Sequence, residues 1–190
     1  YRSETLGLMA PIAVILIGTV VAARAVAGEE HNATLGLLLA NPISRSRVLG
    51  EKTLVMVLFV GVVGLATFAG IAGGSLLGGL GMSIPNIAAT SVMLILLGLV
   101  FGGLALLLGA ATGQVRTTAV AVVTYVIDAF ASLNPDLADL GFLSPFYYYR
   151  STEPLLNGLP WGHAAVLLAV AVVLTAASFP LFARRDLRQS

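Results

Sequence analysis

The chain has few charges. Among 190 residues only ten are basic and nine acidic, 10% in all, where a soluble domain carries about 25%. A soluble globule of this size would need more polar surface, and a disordered chain would be more polar still. Cysteine is absent, which excludes disulfides, thiol catalysis and Cys-ligated zinc. Two histidines and nine dispersed acids give no metal-ligand spacing. The net charge of +1 gives no sign of nucleic-acid binding. Catalytic signatures of the G-x-S-x-G and H-E-x-x-H kinds are missing. Gly50-Glu51-Lys52-Thr53 is a poor copy of a phosphate-binding loop, which needs G-x4-G-K-[ST].

What is present in quantity is apolar sequence. Hydrophobic residues make up 58% of the chain, with 21 glycines besides. A membrane span needs about 20 mostly apolar residues. Five runs qualify: about 5–27, 53–80, 86–113, 117–133 and 161–183. Each is too long and too apolar for a strand, so the expected fold is an all-α polytopic bundle in a lipid membrane.

The basic residues orient it. Arg24, Arg45, Arg47, Lys52, Arg116, Arg184, Arg185 and Arg188 all fall on one side of this five-span layout. Positive charge marks the cytoplasmic face, which places the C-terminus there. Residues 134–160 then form an extracytoplasmic loop. The N-terminal end falls outside, and the sequence starts without methionine. We therefore expect one further span upstream, six in all.

Small residues recur at helical spacing: Gly70, Gly74 and Gly78; Gly98 and Gly102; Gly109 and Gly113, with Ala105 between the last two pairs. Such rows let helices approach closely in lipid. Asp128 is the one acid inside a span; ionisable groups there are candidates for function, and Tyr147 to Tyr149 or Arg150 are its candidate partners. Arg24 fits snorkelling to the headgroups. His163 beside Trp161 fits an interfacial anchor. Tyr147, Tyr148 and Tyr149 fit an aromatic belt.

Residues 28–52 are too polar to span and too apolar for a plain loop. Glu29 and Glu30 suit a helix start. Leu35, Leu38 and Leu39 share one face. Asn41-Pro42 ends the helix, and Ser44 is a candidate cap for the next one. A short amphipathic helix over 29–40 follows. On the residues alone it is either an interfacial helix or a docking element for a cytoplasmic partner.

This stretch also resembles a known family. Glu29-Glu30, Ala33-Thr34-Leu35, Leu38-Leu39-Ala40, Pro42-Ile43-Ser44-Arg45 and Lys52 are similar in order and spacing to the permease subunits of ABC-2 type ATP-binding cassette transporters. Leu143-Ser144-Pro145-Phe146 and Phe182-Ala183-Arg184-Arg185-Asp186-Leu187 resemble that family's ending. Ala33 departs from its usual glycine and His31 from a frequent basic residue. The resemblance implies an exporter subunit of a prokaryotic plasma membrane that is not itself an enzyme. ATP and magnesium would be bound by a separate ATPase subunit, and a second permease copy or homologue would complete the assembly. Helix 29–40 would be the coupling helix. Glu29, Glu30, Thr34, Leu35, Leu38, Leu39, Arg45 and Arg47 would meet the ATPase. Asp128, Tyr147 and Arg150 would belong to the gate or pathway, with short external helices dipping into the outer leaflet over it. The competing function is a secondary transporter or channel without an ATPase, which would need intramembrane charges or broken spans.

Overall fold

The computed structural model describes residues 45–112 and 144–184. The expected spans 5–27 and 117–133 lie outside the described residues, as do helix 29–40 with its six named contact residues, and Asp128. Arg45 and Arg150 enter only as helix positions.

Five helices make up the described residues: α1 (Arg45–Leu77), α2 (Ile84–Thr112), α3 (Pro145–Arg150), α4 (Pro154–Asn157) and α5 (Trp161–Arg184). The three long ones are each long and apolar enough to cross a membrane. Helices are what such sequences must form, because lipid offers no partner to an open backbone N–H or C=O. At 1.5 Å per residue α1 is about 50 Å long, well beyond a hydrocarbon core of about 30 Å. It is already helical at Arg45, earlier than the apolar run beginning at Thr53. The extra turns carry Arg47 and Glu51, which are polar enough for water.

α2 is the centre of the bundle. Of its most apolar window 67% is buried, against 17% for α1 and 22% for α5. Its sequence explains this, since no charge interrupts it and small residues recur on its faces. A side chain on Gly64 of α1 would strike Ile95, and one on Gly102 would strike Met56. These two contacts run α1 and α2 antiparallel. On the other side, a Cβ at Gly103 would lie 3.0 Å from Thr175 Oγ1 and 3.1 Å from the Ala171 carbonyl. Asn86, at the start of α2, bonds the Leu156 carbonyl at 3.0 Å, just before α5 begins. α2 and α5 therefore run parallel. Two apolar clusters fill the bundle: Met93, Leu94, Leu97, Phe101 and Leu167 with α3, and Leu49, Met56, Ala105, Leu106, Ala110 and Phe182 towards the opposite end.

The α1–α2 turn is built by its glycines. Leu80 N–H bonds the Ser75 carbonyl at 3.0 Å and Gly79 N–H the Leu76 carbonyl at 3.4 Å. This is a Schellman cap, and its left-handed residue is Gly79, at φ 59°. The expected glycine row is only partly a packing surface. Among the described residues nothing lies within 4 Å of a Cβ built at Gly70 or Gly74, and Gly78 lies beyond the helix. The Gly98, Gly102 and Gly109 positions are buried, as close helix packing requires.

Candidate functional site

The two ends of the bundle differ in chemistry. At one end, the first turns of α1 carry Arg47 and Glu51, joined at 3.3 Å with both side chains largely exposed. Such a surface pair adds little stability. Gly50-Glu51-Lys52-Thr53 is continuous helix here. A phosphate-cradling loop needs the opposite: amides turned free of the helical ladder.

The other end is shaped by residues 144–160, which fold back into the bundle. Ser144 is buried and extended, and its hydroxyl accepts from Phe146 N–H at 3.2 Å. Pro145 occupies the first turn, where a missing N–H is harmless. This capping turn aims Phe146 at Phe101, with ring centroids 5.4 Å apart. Phe101 lies past the midpoint of α2, so α3 starts deep in the bundle. The chain then climbs. Tyr148 meets His163 edge-on at 5.3 Å and Tyr147 lies 6.2 Å from the same ring. Asn157 ties the turn by bonding the Thr152 carbonyl at 2.9 Å. α4 reaches the level of Asn86, the start of α2. Irregular backbone at this depth is tolerated only where protein covers it, and Ser144, Phe146, Tyr149 and Pro154 are all buried.

The three tyrosines thus divide their roles. Tyr149 is buried in the core, where loss of water pushes its phenol up to about 12. Tyr147 is exposed and Tyr148 half-buried. Trp161 is 78% exposed, as an interfacial anchor should be. His163 is turned inward instead, and its Nδ1 is buried with no hydrogen-bond partner among the described residues.

A fold of apolar spans with one charged end and one folded-in connector is what a membrane permease subunit offers. The sequence matches the family model described as ABC-2 family transporter protein over residues 3–187. The chain belongs to the ABC-2 transporter family. It is a multi-pass membrane protein with the role of a transport permease. No match is found among curated proteins.

Within this ABC-2 permease, Arg47 and Tyr147 are the two expected site residues whose side chains are described. They lie at opposite ends of the bundle. Sequence reasoning did not pick out Phe101, Asn86 or the burial of Lys52. The last had a signal: Lys52 falls at i+3 from Leu49 and i−4 from Met56, on one apolar stripe of α1.

Proposed function

We propose that this ABC-2 permease is the membrane half of an exporter, driven through alternating access by a separate ATP-hydrolysing subunit. The family carries this reading, since such permeases generally work with an ATP-binding cassette partner. The observation from the fold that supports it most is α1. It runs without a break from the charged turn at Arg47 and Glu51 into the bundle, so displacement of the preceding segment reaches the membrane directly. Helix 29–40 is the proposed coupling helix, with Glu29, Glu30, Thr34, Leu35, Leu38, Leu39, Arg45 and Arg47 meeting the ATPase. ATP and magnesium belong to that partner. A second permease copy or homologue completes the pathway.

The topology supports a span within 117–133. The described part of α2 reaches Thr112 by the charged end, while α3 begins beside Phe101, about 16 Å back along the helix. A span over 117–133 followed by a re-entrant return is the proposed path between them. With the C-terminus cytoplasmic, the charged end faces the cytoplasm of a prokaryotic plasma membrane, and α3 and α4 dip in from outside. Tyr147, Arg150 and Asp128 are the proposed gate residues on that side.

The test is co-purification with an ATP-binding cassette ATPase from the same host, followed by ATP hydrolysis in lipid nanodiscs. Glu30→Ala or Leu38→Ala should abolish the stimulation of hydrolysis by the permease and leave its folding intact. A permease that transports with no ATPase bound would favour the channel or secondary-transporter reading.

A further inference from the structure

Between Lys52 and Arg116 the sequence has no Asp, Glu, Lys, Arg or His. The turn from α1 to α2 lies inside this stretch, at the end of the bundle away from Arg47 and Glu51. Residues 78–83 read Gly-Gly-Leu-Gly-Met-Ser, so nothing charged draws the turn into water. Around it Leu76, Leu77, Leu80 and Ile84 are 75%, 94%, 42% and 44% exposed. A contiguous apolar patch of this kind calls for an occupant.

The backbone of the turn points to which one. Gly78 N–H donates to the Gly74 carbonyl at 2.9 Å, and Leu80 N–H to the Ser75 carbonyl at 3.0 Å. Met82 N–H donates to Ser75 Oγ at 3.2 Å. Asn86 and Ile87 N–H both donate to the Ser83 carbonyl, at 3.1 and 3.0 Å. Ser75 is 5% exposed and holds the turn from within. A turn in water can leave such amides to the solvent, and many do. A layer poor in water requires them to be closed inside the chain.

Length agrees. At 1.5 Å per residue, residues 53–77 span about 37 Å. The hydrocarbon core takes about 30 Å of this, and a headgroup layer adds about 6 Å on each side. With Thr53 at the boundary of the charged end, Leu77 falls in the headgroup layer of the opposite leaflet. That is short of free water. It is also beyond the hydrocarbon, where an irregular turn exposed to lipid is not tolerated.

We propose that the α1–α2 turn is seated in the headgroup layer of the leaflet opposite Arg47 and Glu51, and does not stand in the water outside it. The occupant of the patch is the phospholipid of that leaflet, with Leu76, Leu77 and Leu80 against the upper acyl chains. The seat rests on the membrane character of the chain and not on the coupling reading above. A permease that works without an ATPase would keep it.

The experiment uses the full chain reconstituted in nanodiscs of dioleoyl phosphatidylcholine. The natural absence of cysteine lets a single Leu77→Cys carry a spin label. Leu58→Cys, 60% exposed along α1, is the lipid reference. Arg47→Cys, at a side chain 72% exposed, is the water reference. Power saturation compares collisions with oxygen, which concentrates in lipid, and with a nickel chelate, which stays in water. The label at 77 should keep most of the oxygen exposure seen at 58 and lose most of the chelate exposure seen at 47. Chelate exposure equal to that at 47 puts the turn in water and overturns the proposal. Shielding from both reagents puts protein over the patch, a second copy or another part of the chain, and overturns it equally. If Leu77→Cys does not fold, Leu76→Cys replaces it under the same criteria.

Discussion

Phe146 packs on Phe101 with the rings tilted at 49°, so the connector before α5 is anchored at the middle of the central helix. Removing the ring leaves a cavity between α2 and α3. Phe146→Ala should cost about 3 kcal/mol, and Phe146→Leu about half of that. Ser144→Ala removes the cap of α3 and should cost about 1 kcal/mol. Unfolding in mixed micelles measures all three. A neutral Phe146→Ala would show that α3 does not rest on α2.

Glycines of α1 and α2 should respond oppositely to a methyl group. At Gly103 the new Cβ meets Thr175, Ala171 and Leu174 at 3.0 to 3.3 Å. Gly103→Ala should therefore lower the melting temperature, and Gly103→Val should lower it further. At Gly73, half-buried but with nothing within 4 Å, Gly→Ala should be neutral or gain up to about 1 kcal/mol of helix propensity. Loss at Gly73 equal to that at Gly103 would mean that an additional helix crosses α1 there.

Glu153 is the one non-glycine residue with positive φ among the described residues, at 43°. Its side chain makes no capping bond to α4. Glu153→Gly should thus raise stability by about 1 kcal/mol, while Glu153→Ala should not. If the strained turn has a role in opening, the Gly variant will be more stable and slower in transport. Parallel melting and transport assays separate the two effects.

The contact between Tyr148 and His163 offers a direct test of whether α3 moves. With no native cysteine, Tyr148→Cys and His163→Cys can be joined by a short bifunctional thiol reagent. The link should form without ATP and stop transport, and reduction of a cleavable reagent should restore it. Full transport through the linked protein would show that α3 and α5 stay together during the cycle.

The long helices were legible because span length and apolarity need no partner to be recognised. Their burial was not. α1 and α2 look equally apolar in sequence, yet only α2 is enclosed, and that depends on which helix has neighbours on every side. The Gly70, Gly74 and Gly78 spacing suggested a packing face because spacing encodes a helix face, not what lies against it. Leu143-Ser144-Pro145-Phe146 was readable as a motif but not as a device. Its meaning appears only when Ser144 is seen to cap the turn that seats Phe146. Lys52 was one charge in a basic cluster by sequence, and the buried stripe of Leu49, Met56 and Val60 sets it apart. For residues 29–40, amphipathicity marks a candidate surface, and its proposed use comes from the family resemblance.

The surplus of α1 over the hydrocarbon thickness is about 20 Å, and the helix contains no proline. Under the proposed coupling, a rod of this kind would work as a lever arm with its fulcrum at the membrane surface. Small swings of the short arm would then become lateral swings of the long one, in the opposite direction. Gly70, Gly73 and Gly74 lie on the long arm, and among the described residues nothing stands within 4 Å of where their Cβ atoms would be.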